Sequence, residues 1–118
     1  VSGVEPRIMG IGPVTASLLA LSRAGLNLDD MNLIEINEAF ASQVLACLRS
    51  LHIDDRDSRV NVNGGAIAIG HPLGMTGSRI IYTAALELRR RNAKYALVTM
   101  CIGVGQGYAV VLKNANFS

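Results

Sequence analysis

Ala96-Leu97-Val98-Thr99-Met100-Cys101-Ile102-Gly103-Val104-Gly105-Gln106-Gly107 runs directly into Tyr108-Ala109-Val110-Val111-Leu112. An apolar run that breaks into alternate glycines and then resumes predicts two strands, about Tyr95 to Cys101 and Tyr108 to Lys113, paired antiparallel. Gly-x-Gly-x-Gly after a strand invites a dinucleotide-binding interpretation. That fingerprint needs a helix after its glycines, and here a strand follows.

Working back from this hairpin, the chain alternates helices with strands. Gly12-Pro13 marks a loop, and Pro13 suits the first turn of a helix to about Ala24, striped by Val14, Leu18 and Leu21. Gly25 should end it in a left-handed cap, with a turn from Leu26 to Asn32. Leu33 to Ile36 is a short strand, and a helix from about Glu38 to Ser50 follows, with Phe40, Val44 and Leu48 on one face. His52 to Ser58 is a charged loop. Val60 to Val62 is strand-like before the turn at Asn63-Gly64-Gly65. A last helix spans about Met75 to Arg91 along Ile80, Ala84 and Leu88. The expectation is an α/β domain, a mixed sheet with helices on its faces.

Composition agrees. Half of the 118 residues are hydrophobic but only 4% are aromatic, so the core must be Ala, Val, Ile and Leu, as in buried strands covered by helices. The length allows one domain. A net charge of +2 is too small to argue for nucleic acid or a membrane surface as a partner. No apolar run approaches the ~18 residues of a membrane-crossing helix. Two cysteines, Cys47 and Cys101, make no disulfide framework and point to a reducing compartment. The start at Val1-Ser2-Gly3 reads as a cut through a longer protein.

Three stretches can carry chemistry. Asn37-Glu38-Ala39-Phe40 lies at a strand-to-helix junction. Asn37 would serve there as an N-cap, with Glu38 favourable to the helix dipole. Alternatively its amide could hold a water or an oxyanion at a strand's C-terminal end, where open α/β sheets place ligands. The second stretch is Gly70-His71-Pro72-Leu73-Gly74-Met75-Thr76-Gly77, in which glycines clear space around His71. It lacks the Gly-Lys-Ser/Thr of a phosphate loop. His52, in its polar loop, is an ordinary surface residue. The third is Cys101, which opens into glycines with free backbone N–H groups, whereas Cys47 on its helix is an inert small hydrophobe. A thiol and an imidazole on glycine-rich loops look first like a nucleophile and its base.

Asn-Glu-Ala-Phe at 37–40, Asn63-Gly64-Gly65-Ala66-Ile67-Ala68-Ile69-Gly70-His71-Pro72, and Cys-x-Gly-x-Gly-Gln-Gly at 101–107 together resemble the three C-terminal motifs of thiolases. Met9-Gly10-Ile11-Gly12-Pro13 resembles the loop into that domain's first helix. Thiolases, which comprise acetyl-CoA acetyltransferases and 3-ketoacyl-CoA thiolases, have two similar halves and a loop domain, and act as dimers or tetramers. The resemblance covers the C-terminal half and implies that the chain starts just after that half's first strand.

The resemblance reverses the first assignment. It implies that the nucleophilic cysteine lies in an N-terminal half outside this chain and that His71 activates it and donates to the thioester oxygen. Cys101 then matches the acid/base cysteine. Asn37 matches the residue whose bound water forms one oxyanion hole with His71, and the Gly103 N–H matches part of a second. Phe40, Met75 and Ile102 would shape the acyl pocket. Met75-Thr76 and Ile102 stand where many members have smaller residues. The wording around Cys101 resembles degradative members, including ketoadipyl-CoA thiolases. The family implies acyl-CoA and CoA as substrates, no cofactor or metal, and a cytoplasmic setting, or a mitochondrial or peroxisomal one in a eukaryote. The terminus Asn116-Phe117-Ser118 does not match a peroxisomal address. Alone, the chain is expected to be inactive and prone to self-association through an open sheet edge. Two alternatives remain: a ketoacyl-synthase-type condensing enzyme, whose second half uses paired histidines, and a non-enzymatic lipid-binding or acyl-CoA-binding thiolase-like protein.

Overall fold

The computed structural model describes residues 1–117; Ser118, the last residue of the Asn116-Phe117-Ser118 terminus, lies outside it. The elements are β1 (Ser2–Gly3), α1 (Gly12–Ala24), β2 (Leu33–Ile36), α2 (Ala41–Ser50), α3 (Ala66–Ile69), α4 (Thr76–Arg90), β3 (Tyr95–Ile102) and β4 (Gln106–Lys113), with 3-10 turns at Pro6–Ile11 and Leu28–Asp30. The sheet order is β1-β4-β3-β2. β2 runs parallel to β3, while β4 runs antiparallel to both β3 and β1.

The sheet separates two cores. Ile34, Ile36 and Leu97 face α1 and α2 and pack on Val14, Leu21, Val44, Cys47 and Leu48. Leu33, Val98 and Met100 face the other way, onto Ile80, Ala84 and Leu88 of α4. Alternate residues of one strand thus feed opposite layers. This burial on both faces explains why β3 is apolar through most of its length and why every residue of β2 is buried, the charged Glu35 included.

Gly25 ends α1 in the left-handed region (φ +65°), and the Leu26 N–H returns to the Leu21 carbonyl at 3.1 Å, as its position predicts. Gly107 is needed for packing: a Cβ there would collide with the backbone of Gly12, so β4 and the start of α1 touch main chain to main chain.

Three boundaries differ from the sequence expectation. A first strand does exist, though only as the pair Ser2–Gly3, too short and glycine-containing to show a pattern. Helix α2 begins at Ala41 rather than Glu38, because Phe40 is extended (φ −145°, ψ 146°) and Asn37 to Phe40 cross the sheet edge first. Asn37 is therefore not an N-cap. Val60 to Val62 forms no strand beyond a single parallel bridge from Val60 to Ile34. Asn61 turns left-handed (φ +45°) and uses its side-chain amide in place of a ladder, accepting from the Ile36 N–H at 2.9 Å and donating to the Ile36 carbonyl at 3.0 Å.

Candidate functional site

Parallel pairing sets β2 and β3 side by side, with Ile36 opposite Thr99. Asn37 and Cys101 consequently leave the sheet at the C-terminal edge of adjacent strands. The Asn37 N–H extends the ladder by one bond, to the Thr99 carbonyl at 3.0 Å. Its side chain is only 2% exposed, yet neither its amide nitrogen nor its amide oxygen has a protein partner. Most buried polar atoms are paired, so this one marks a place built for something other than packing.

Cys101 is buried at the end of β3, opposite Gly107. Burial pushes its thiol above the ordinary value. Gly103 follows at the hairpin tip, left-handed (φ +55°) and exposed. Gly105 is left-handed too, and a Cβ there would crowd the Val4 carbonyl. The glycines of this motif thus divide their work: Gly105 and Gly107 allow close packing, and Gly103 shapes the open tip.

The His71 segment is fastened beside the same edge. The Ile67 N–H donates to the Glu38 carboxylate at 2.9 Å, and the Asn61 amide donates to the same carboxylate at 3.2 Å. Gly65 lies so close to that carboxylate that a Cβ would overlap it. The Arg79 guanidinium donates to the Gly70 carbonyl at 2.6 Å, immediately before His71. A Cβ on Gly77, at the start of α4, would just reach Met100 of β3 at 3.6 Å. His71 itself is exposed, and its Nδ1 lies 2.6 Å from the Thr76 hydroxyl.

Below this edge sits Glu35, 4% exposed, on the α4 face of β2. Burial first, then the Glu38 and Glu87 carboxylates, push it up to about 7, partly countered by Arg79.

Of the residues singled out in the sequence, Asn37, Cys101, Gly103 and His71 therefore gather at one edge. Phe40 is 68% exposed and Met75 48%, while Ile102 is half-buried; with Leu73 and Val104 they form an apolar rim. A groove of about 520 Å³ beside Glu38 and Ile67 is lined by none of Asn37, His71 or Cys101. Sequence reasoning treated Glu38 as a helix-dipole partner and passed over Asn61 and Arg79. Their roles depend on contacts across more than 20 residues, or on a backbone carbonyl, which no local pattern encodes. Thr76, five residues after His71, stands out in the sequence only as a residue larger than many thiolases carry at that place. Among the described residues no group of acids, histidines and cysteines could hold a metal, and no helix is long and apolar enough to cross a membrane.

The thiolase C-terminal domain model matches residues 1–114. The chain is 60% identical over 112 residues to 3-oxoadipyl-CoA/3-oxo-5,6-dehydrosuberyl-CoA thiolase of Escherichia coli K12, covering 95% of this chain and 28% of that protein. It is 56% identical over 111 residues to beta-ketoadipyl-CoA thiolase of Acinetobacter baylyi, again over 94% of the chain and 28% of the relative. The crystal structure of human mitochondrial 3-ketoacyl-CoA thiolase in complex with CoA superposes with a TM-score of 0.93 at 59% identity, over 97% of this chain and 28% of that one. The chain thus spans a little over a quarter of the length of these relatives. With an open edge that gathers all three motifs and a match along almost its entire length, the chain belongs to the thiolase family and corresponds to its C-terminal domain.

Proposed function

We propose that this chain supplies the proton-transfer and oxyanion-binding half of a thiolase active site. The complete enzyme converts a 3-ketoacyl-CoA and CoA to acetyl-CoA and a shortened acyl-CoA, or runs the reverse condensation. The observation that carries this reading is the convergence of Asn37, Cys101 and the fastened His71 loop on one open sheet edge. The relatives' names support the substrate class.

In this reading a cysteine of an N-terminal half carries the acyl group. His71 activates it and donates to the thioester oxygen. A thioester α-proton is weakly acidic, so its removal needs a placed base and donors aimed at the developing enolate oxygen. Cys101 takes that proton in condensation and returns it to the leaving enolate in thiolysis. Its buried thiol, held protonated at neutral pH, suits the acid role. Asn37 holds the water that completes one oxyanion hole with His71; a buried amide with no protein partner is the group such a water needs. The Gly103 N–H contributes to the second hole. Phe40, Met75 and Ile102 line the acyl pocket once the N-terminal half covers the rim.

CoA thioesters are substrates, and no further cofactor or metal enters. The partners are the N-terminal half and further copies in a homodimer or homotetramer. Reduced Cys47 and Cys101 suit a cytoplasmic setting, or a mitochondrial or peroxisomal one in a eukaryote.

The test is thiolysis of 3-ketoacyl-CoA by the intact protein that contains this chain. Turnover is expected in the wild type, with a loss of at least 100-fold in His71→Ala and Cys101→Ala. Variants as active as the wild type would overturn the assignment, and a wild type that binds acyl-CoA without turnover would favour the lipid-binding alternative.

A further inference from the structure

The Thr76 hydroxyl sits between two groups. It lies 2.6 Å from His71 Nδ1 and 3.0 Å from the Pro72 carbonyl oxygen. Thr76 is fully buried at the first position of α4, so its side chain cannot turn to solvent. A hydroxyl has one proton to give. The Pro72 carbonyl can only accept, so its contact with Thr76 uses the hydroxyl proton; the shorter contact with His71 is then completed by an Nδ1–H that donates to Thr76 Oγ1. The neutral imidazole then carries its proton on Nδ1 and its lone pair on Nε2.

We propose that Thr76 is a positioning residue that holds His71 in the Nδ1–H tautomer and fixes the plane of its ring, leaving Nε2 as the basic nitrogen. This rests on the proposed function for its catalytic consequence, because an imidazole that accepts a thiol proton needs its lone pair aimed at the thiol. The arrangement is fixed from both sides. Pro72 O also accepts the N–H groups of Met75 and Thr76, each at 2.9 Å, which ties the hydroxyl's acceptor to the helix start. Arg79 anchors the Gly70 carbonyl on the other side of His71. Those bonds also leave Pro72 O partnered when the hydroxyl is removed, so a Thr76→Val variant should keep the fold.

The experiment uses the intact protein. Selective 15N-histidine labelling, with the His71 signal assigned by its loss in His71→Gln, reads the tautomer directly. The wild type and Thr76→Ser should show the Nδ1–H form, and Thr76→Val a mixture of both forms. Thiolysis kcat should fall about 10- to 100-fold in Thr76→Val with KM within twofold, and return to within threefold of wild type in Thr76→Ser. An unchanged tautomer in Thr76→Val, or a Thr76→Val kcat within threefold of wild type, overturns the proposal. A wild type without any thiolysis overturns the proposed function instead, and the tautomer signal then decides the Thr76 assignment alone.

Discussion

The Glu38 carboxylate accepts the Ile67 N–H at 2.9 Å across 29 residues of sequence, and this bond joins the segment carrying Asn37 to the loop carrying His71. The same carboxylate accepts from the Asn61 amide, which in turn holds both backbone groups of Ile36. One half-buried acid therefore ties the end of β2 to the loop that must stand above it. Hydrogen bonds to a charged group contribute about 1.5–3 kcal/mol. Glu38→Ala is expected to lower unfolding stability in urea by about 2 kcal/mol and to accelerate amide exchange at Ile67, with Glu38→Gln in between. An Ile67 amide that exchanges at the wild-type rate in Glu38→Ala would show that the loop is held by other contacts.

Asn37 should behave in the opposite way. Its N–H keeps the bond to Thr99 in any substitution but proline, and its side-chain amide has no protein partner to lose. Removing a buried, unpaired amide offsets the small cavity that Asn37→Ala leaves. Urea denaturation should therefore give a stability within about 1 kcal/mol of wild type, while kcat of the intact enzyme falls about 100- to 1000-fold, the effect of losing an oxyanion-hole donor. A large stability loss with little kinetic effect would make Asn37 a packing residue.

Much of this was legible in the order of residues. β2 came out to the residue, because four apolar-context positions between a turn and a polar junction leave one length of strand. The hairpin of β3 and β4 was visible because strand resumed after the glycines. What stayed hidden depends on side chains standing in for main chain. Val60-Asn61-Val62 has the alternation of a strand, but Asn61 supplies amide bonds where a ladder would be. Asn37 has the composition of a cap, yet the helix waits until Ala41 because the chain between must first cross the edge. The site residues were found through motifs, whereas the contacts that fasten them, Glu38 to Ile67 and Arg79 to Gly70, have no local signature.

Glu35 gives a pH dependence of defined sign. Its carboxyl is raised from 4.5 to about 7, by burial first and then by the Glu38 and Glu87 carboxylates, against Arg79. The folded state therefore binds the proton more tightly than the unfolded chain. Its contribution is fully favourable below about pH 4.5 and is lost as pH rises through about 7. Glu35→Gln removes the ionisation, so it should be more stable than wild type at pH 8, by at most about 3 kcal/mol, with the difference vanishing near pH 4.5. Chemical denaturation of both proteins at the two pH values checks this, and a Glu35→Gln variant less stable than wild type at pH 8 would mean that the charged form is held by Arg79.

The two buried thiols set the alkaline limit. Cys101 is raised above 9.0 by burial, and Cys47 by burial, partly countered by its hydrogen bond with Gln43, with the charge of Cys101 a smaller upward push. A group whose folded value lies above its unfolded value stabilises the fold below the unfolded value and loses that contribution as pH climbs through the folded one. Wild-type stability should therefore decline as pH rises from about 9, more steeply than in Cys101→Ala, because the unfolded chain ionises its thiols first. Thermal unfolding between pH 7 and pH 10.5 measures the difference in slope. Parallel curves would mean that Cys101 ionises as easily folded as unfolded. In that case the thiol would still be protonated at neutral pH, with the acidity of an ordinary cysteine, and its burial would add nothing to its acid role.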